Sequence, residues 1–214
     1  VKAALAWYIK AAEQGDVDGE TSAGFLYITG APDIPQDYAK AFYWYLTAAE
    51  SGDSRGEDGI AWLYLFGLGT KQDTGAGRTW YLRAAAQGDS VAEHSLGAIY
   101  GNGFGVEVDA AESLKWFLKA ADKGYTPSKL ELGDIYRHGR GVPPNEVQAQ
   151  KWYAAAASDY QAQVKADDDD AMVSLANLYL TGKGVHRDDA AAAELLKKAA
   201  SGATPCSEGN WTEH

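Results

Sequence analysis

The sequence predicts an all-α protein built from stacked helical hairpins, and three observations carry that prediction. The motif Tyr-x-x-Gly-x-Gly-Val at Tyr100 recurs around five anchoring tyrosines, Tyr27, Tyr64, Tyr100, Tyr136 and Tyr179, at steps of 37, 36, 36 and 43 residues. Aromatic pairs keep the same rhythm: Trp7-Tyr8, Trp44-Tyr45, Trp80-Tyr81, Trp116-Phe117 and Trp152-Tyr153, with Leu195-Leu196 in the last place. The 24 glycines look hostile to helices, yet most fall where the pattern turns. A period near 36 marks supersecondary units that bury their apolar faces by stacking on their neighbours.

The elements follow in order. Residues 1–15 read as a lone second helix, a half repeat. Five hairpins follow at residues 16–52, 53–88, 89–124, 125–160 and 167–202. The third unit shows the logic. Ser90 and Glu93 have the spacing of a capping box. Ala92, Leu96 and Tyr100 then mark one helix face. Gly97 lies on that side, where it lets a neighbouring helix come close. Gly103 and Gly105 end the helix. Asp109 and Glu112 open a second helix, with Trp116, Ala120 and Phe117 as its buried positions, and Gly124 stops it. Small pairs such as Ala11-Ala12, Ala48-Ala49 and Ala120-Ala121 allow tight packing beside the rings. Residues 203–214, with Pro205 and Gly209 and no periodicity, read as an irregular tail.

Composition narrows the function. Lys plus Arg is 19 and Asp plus Glu is 30, a net charge of −11. An acidic chain without a basic stripe repels phosphate backbones, so nucleic acid is not an expected partner. No apolar run is longer than that at residues 60–66, far shorter than the roughly 20 residues of a membrane span. Cys206 is the only cysteine, so no intrachain disulfide forms. The chain opens in mid-repeat at Val1, as expected of a piece of a longer protein, and any leader lies outside it. Asn210-Trp211-Thr212 matches a glycosylation acceptor, meaningful only on a secretory route.

Residues Ala92 to Ala121 resemble the Sel-1-like repeat family, relatives of the tetratricopeptide repeats, and the resemblance covers about residues 1–202. It implies an all-α right-handed superhelix of antiparallel helix pairs. It also implies a bacterial scaffold or adaptor that binds a peptide or a partner protein, soluble in the cytoplasm or periplasm. Several units depart from the pattern. The first has Pro32 and Pro35 and no Gly-x-Gly, so prolines are expected to build its turn. The second has Gly75 and Gly77 where helix formers belong, at up to about 1 kcal/mol each, so its second helix is expected to start late or fray. The fourth has Tyr160 in place of its closing glycine, followed by seven extra residues. Two readings stand side by side: the helix from Asn145 runs past Tyr160 toward Lys165, or the extra residues form a loop. The acidic run at 167–170 is expected to be a helix N-terminal charge cluster, since it lacks the alternating ligands and glycine of a calcium loop.

Catalytic chemistry is not visible. His94, His138, His186 and His214 form no His-Glu-x-x-His, and one cysteine excludes a cysteine-rich zinc site. No metal site and no cofactor are expected. The glycines at 101, 103 and 105 follow a helix, so they are a turn and not a phosphate loop. The chain lacks the paired cysteines of the family's β-lactam-linked subset and any Ser-x-x-Lys. Thr126 and Pro127 read as an N-cap and first helical residue.

By analogy with tetratricopeptide arrays, the first helices line a concave groove, with positions two and six before each anchoring Tyr, and one or two after it, facing inward. These positions give Phe25, Ile28, Asp58, Trp62, Leu65, His94, Asn102, Leu130, Asp134, Arg137, Val173 and Asn177. Phe25 and Trp62 stand out as anchors, with packing against a neighbouring hairpin as the other reading. Arg137 beside Asp134 reads as a charge clamp or as an intrahelical pair. The expectation is a peptide- or protein-binding scaffold. An enzyme or cell-wall accessory with an unidentified site, and a purely architectural spacer that self-associates through its exposed half repeat, remain as alternatives.

Overall fold

The computed structural model describes residues 1–202; the tail, Cys206, Asn210 and His214 lie outside the described residues. The described residues form eleven helices and no strand beyond a single bridge between Ala31 and Ile34. They divide into two compact units, Val1–Tyr125 and Thr126 onward. The first holds α1 (Lys2–Ala12), α2 (Val17–Thr29), α3 (Tyr38–Glu50), α4 (Ser54–Phe66), α5 (Thr74–Ala86), α6 (Ser90–Asn102) and α7 (Ala110–Asp122). The second holds α8 (Thr126–His138), α9 (Glu146–Val164), α10 (Asp169–Thr181) and α11 (Asp189–Gly202). In each unit consecutive helices pack on one another, as expected of hairpins.

Local chemistry sets the helix ends. Asp16, Asp37, Asp53, Asp73, Asp89, Asp109 and Asp168 sit at N-caps and accept backbone N–H bonds from the first turn, satisfying donors the helix leaves open. The third repeat therefore differs from the expected capping box. Asp89, not Ser90, is the cap, accepting from Val91 N at 2.9 Å and Ala92 N at 3.1 Å. Glu93 does not reach back; it is buried and bonds Lys123. Asp109 caps α7 through Glu112 N, as expected. α8 already includes Thr126, whose hydroxyl donates to Asp159 Oδ2 at 3.1 Å instead of capping its own helix.

α5 does not start late. It runs over 13 residues from Thr74, because Asp73 caps it through Ala76 N. Gly77 has a packing reason: a Cβ there would lie 2.8 Å from the Ala61 carbonyl oxygen, so α4 and α5 meet where a side chain would not fit. In the first repeat, reciprocal bonds between Ala31 and Ile34 close the turn over Pro32 and Asp33, and Ile34 drops into the core. The extra residues after the fourth repeat extend a helix. α9 has 19 residues and ends on Lys165, with Tyr160 buried against Ala171 and Leu175. Asp167 then turns the chain at φ 60, and Asp168 caps α10, with Asp169 and Asp170 in its first turn.

The aromatic pairs divide their work in a way the spacing did not predict. In three pairs the second member is the deep knob: Tyr81, Phe117 and Tyr153 are buried, whereas Trp80, Trp116 and Trp152 are half-buried; Trp44 and Tyr45 are both buried, and Trp7 and Tyr8 both exposed. Gly97 admits the Phe117 ring, and a Cβ there would come within 2.8 Å of it. Gly133 does the same for Tyr153. Two of the half-buried tryptophans lie under cations one turn on: Arg83 is 4.2 Å from the Trp80 ring centre and Lys119 is 3.9 Å from that of Trp116.

Candidate functional site

In the first unit, first helices of consecutive repeats border a cavity of about 510 Å3. α2 contributes Thr21, Ser22, Phe25 and Leu26; α4 contributes Arg55, Asp58 and Gly59; Asp89 and Val91 come from the start of α6, and Tyr8 and Tyr45 from α1 and α3. Phe25 is 57% exposed, unusual for a phenylalanine, and leaves its ring on the wall. Asp58 has its Oδ1 buried without a hydrogen-bond partner. Burial, then the neighbouring Asp89, pushes its carboxyl up to about 7 from an ordinary 3.8. Burial and Asp58 push the Tyr45 hydroxyl up to about 12. Arg55 is the one cation lining the cavity, and it is already held by Asp18 at 2.7 Å and Asp53 at 2.9 Å.

Of the residues expected to face a groove, Phe25 and Asp58 meet at this cavity. Trp62 is half-buried and packs against Tyr38 and Phe66, with ring centres 6.4 and 5.5 Å away. Leu65 belongs to the core between α4 and α5, and Ile28 packs beside the Tyr45 cluster. His94 lies between the rings of Phe117 and Tyr125, 5.2 Å from each, and burial pushes it down to about 4. Asn102 is exposed, its side chain bonded to the Ala98 carbonyl.

In the second unit, Leu130, Asp134 and Asn177 line a smaller cavity of about 210 Å3 together with Tyr153 and Lys183. Asp134 accepts from the Tyr153 hydroxyl and from Lys183 Nζ at 2.8 Å. Burial raises its carboxyl, but these bonds outweigh burial and hold it below its ordinary value. Arg137 does not form the intrahelical pair with Asp134; its Nε lies 3.7 Å from Glu146. Val173 and Asn177 are exposed.

Sequence reasoning missed a row of buried charge. Glu20, Glu57 and Glu93 stand seven residues before their anchoring tyrosines, each nearly inaccessible. Glu57 pairs with Arg83 and Gln87 at 2.8 Å, and Glu93 with Lys123 at 2.8 Å. At the same position of the next repeat the signs reverse, and Lys129 pairs with Asp159. Steps of 37 and 36 between acids were a legible signal for this row. Tyr8, Tyr45, Arg55 and Asp89 carried none, because only the packing of several helices places them on one cavity.

The Sel1 repeat family model matches residues 1–16, 19–53, 57–89, 90–125, 127–159 and 169–203. The chain belongs to the Sel1 repeat family. Sel1 arrays are generally protein-interaction scaffolds and generally not enzymes. Among solved structures, a Sel1 repeat protein from Oxalobacter formigenes matches with a TM-score of 0.70 and 26% identity, over 94% of this chain and 78% of that one. A protective antigen of uropathogenic Escherichia coli displaying an SLR fold matches with a TM-score of 0.64 and 29% identity over 94% of this chain. The chain spans 49% of that antigen. An immunity protein of Pseudomonas aeruginosa shares the fold at 21% identity and a TM-score of 0.56, over 92% of this chain and 71% of that one. No curated protein matches the chain. Among the described residues of this Sel1 array, no group of three His, Cys, Asp or Glu converges as a metal site, and no helix is long and apolar enough to cross a membrane.

Proposed function

We propose that this Sel1 array is an interaction scaffold that holds an extended peptide, or an exposed segment of a partner protein, along the first helices of its N-terminal repeats. The observation that carries the reading is Phe25, a large exposed ring on the wall of a cavity lined by α2, α4 and the start of α6. Aromatic anchors in partly enclosed surfaces are where binding energy concentrates. The cavity crosses several repeats, so an extended ligand can engage them in sequence, and each repeat adds contacts on a rigid support.

A peptide-library selection against the protein tests this. Selected peptides should bind wild type and lose at least about tenfold in affinity, 1.4 kcal/mol, with Phe25→Ala. Circular dichroism and melting should match between the two. Phe25 is a cleaner probe than Trp62, which packs in the fold. Binding indifferent to Phe25→Ala, or no enrichment at all, would move the interaction to another face or leave a spacer role.

One observation favours an enzymatic reading. A carboxyl near 7 in a cavity is the kind of group active sites tune. Among the described residues, no histidine, cysteine or lysine lines the cavity beside it; the other polar side chains there are hydroxyls, Asp89 and the engaged Arg55. The Thr21 hydroxyl is spent on helix carbonyls, and one oxygen of Asp89 caps α6. The raised Asp58 therefore reads as a buried acid awaiting a partner, which the binding reading supplies.

A further inference from the structure

We propose that the segment bound in this groove is recognised through one cationic side chain, a lysine ammonium or arginine guanidinium, seated between the aromatic wall and Asp58. The inference rests on the groove reading above and specifies its chemistry.

Four features of the lining converge. Two carboxylates, Asp58 and Asp89, border the cavity, and one oxygen of Asp58 has no partner. Asp89 uses its Oδ1 as the cap of α6, so its charge stays in place beside Asp58. Two exposed rings, Tyr8 and Phe25, supply apolar faces of the sort that attract a cation, above the buried ring of Tyr45. The sole lining cation, Arg55, is engaged by Asp18 and Asp53, so it neither fills the acidic end nor offers a free charge to an anion. The volume, about 510 Å3, accommodates a long side chain with part of its backbone. This array already shows the same chemistry internally, where Lys119 lies over Trp116 and Arg83 over Trp80 while also pairing with Glu57. An incoming cation favours the ionised form of Asp58, which burial opposes in the empty groove.

The experiment takes peptides from the selection above and compares each with a version whose basic residue is replaced by norleucine. Both are titrated against wild type, Asp58→Asn and Phe25→Ala. Selected peptides should share a Lys or Arg at one fixed position. Norleucine should weaken binding to wild type at least about tenfold but leave binding to Asp58→Asn nearly unchanged, because the two changes remove the same contact. The norleucine arm leaves the protein untouched, so it holds even if Asp58→Asn perturbs folding. Peptides that depend on Phe25 but share no basic position, or lose nothing with norleucine, overturn the cation and leave the groove standing. Peptides indifferent to Phe25→Ala, or no enrichment, overturn both. Diffuse attraction to the acidic surface would vanish in roughly 0.5 M salt and ignore both substitutions, and that outcome also counts against the site.

Discussion

Glu93 Oε1 accepts a hydrogen bond from Lys123 Nζ at 2.8 Å, joining the first turn of α6 to the C-terminal end of α7. The next repeat places Lys129 and Asp159 at the equivalent positions with the charges exchanged. The geometry thus accepts either polarity. Removing one partner leaves a buried charge alone. Lys123→Met should destabilise the protein by about 2 kcal/mol, discounted for the exposure of the lysine. The double exchange Glu93→Lys with Lys123→Glu should recover at least half of the loss from Glu93→Lys alone. Urea unfolding of the three variants checks this.

Glu20 shows the same site without its partner. The residue equivalent to Lys123 is Glu50, so Glu20 is 2% exposed with Oε2 unpaired, and burial, Asp16 and Asp53 raise its carboxyl. Glu50→Lys should stabilise the first unit by about 1 kcal/mol. Glu50→Gln should give less. Equal gains from both, measured by denaturant unfolding, would assign the effect to relieved repulsion and not to a new pair.

The close approach at Gly97 predicts a steep cost for one methyl group. Gly97→Ala drives a Cβ to 2.8 Å from the buried Phe117 ring and should cost about 2–3 kcal/mol. Gly124→Ala meets no atom within 4 Å but sits at φ 88, so it should cost only about 1 kcal/mol. Thermal melting of both variants separates crowding from backbone strain.

Asp58 and His94 should tilt stability in opposite directions with pH. Folding raises the Asp58 carboxyl from 3.8 to about 7, so the folded state holds the proton more tightly and its contribution falls as pH climbs through that range. Folding lowers His94 from 6.5 to about 4, so the unfolded state binds the proton more tightly and its contribution rises from about 4 to about 6.5. Asp58→Asn should leave the His94 rise, with melting temperature increasing between these limits. His94→Gln should leave the Asp58 fall. Melting curves across about pH 4–8 would refute the assignment if both variants kept the wild-type slope.

Particular residues show where the sequence was legible. The repeat and its turns were readable because the turn glycines and the tyrosine anchors act within a few residues of themselves, whereas the caps of α6 and α8 were read one residue late at Ser90 and Thr126. The roles within the Trp-aromatic pair were not. Trp116 and Phe117 are both large and apolar, and only the position of Gly97 on the facing helix decides which ring goes in. Gly75 and Gly77 read as weakness because propensity counts only the helix they stand in, whereas Ala61 across the interface requires Gly77.

At the candidate site, analogy of register named Phe25 and Asp58 but could not separate them from Trp62, half-buried against Tyr38 and Phe66, or from Leu65, which packs in the core. By itself the sequence determined the all-α class, the hairpin period and the Sel1 resemblance, since these follow from contacts local in the chain. Tertiary structure alone decided which helix-facing residues remain free. That choice depends on whether a neighbouring ring or cation arrives to cover them: Tyr38 and Phe66 reach Trp62, Lys183 and Tyr153 reach Asp134, and no partner reaches the buried oxygen of Asp58.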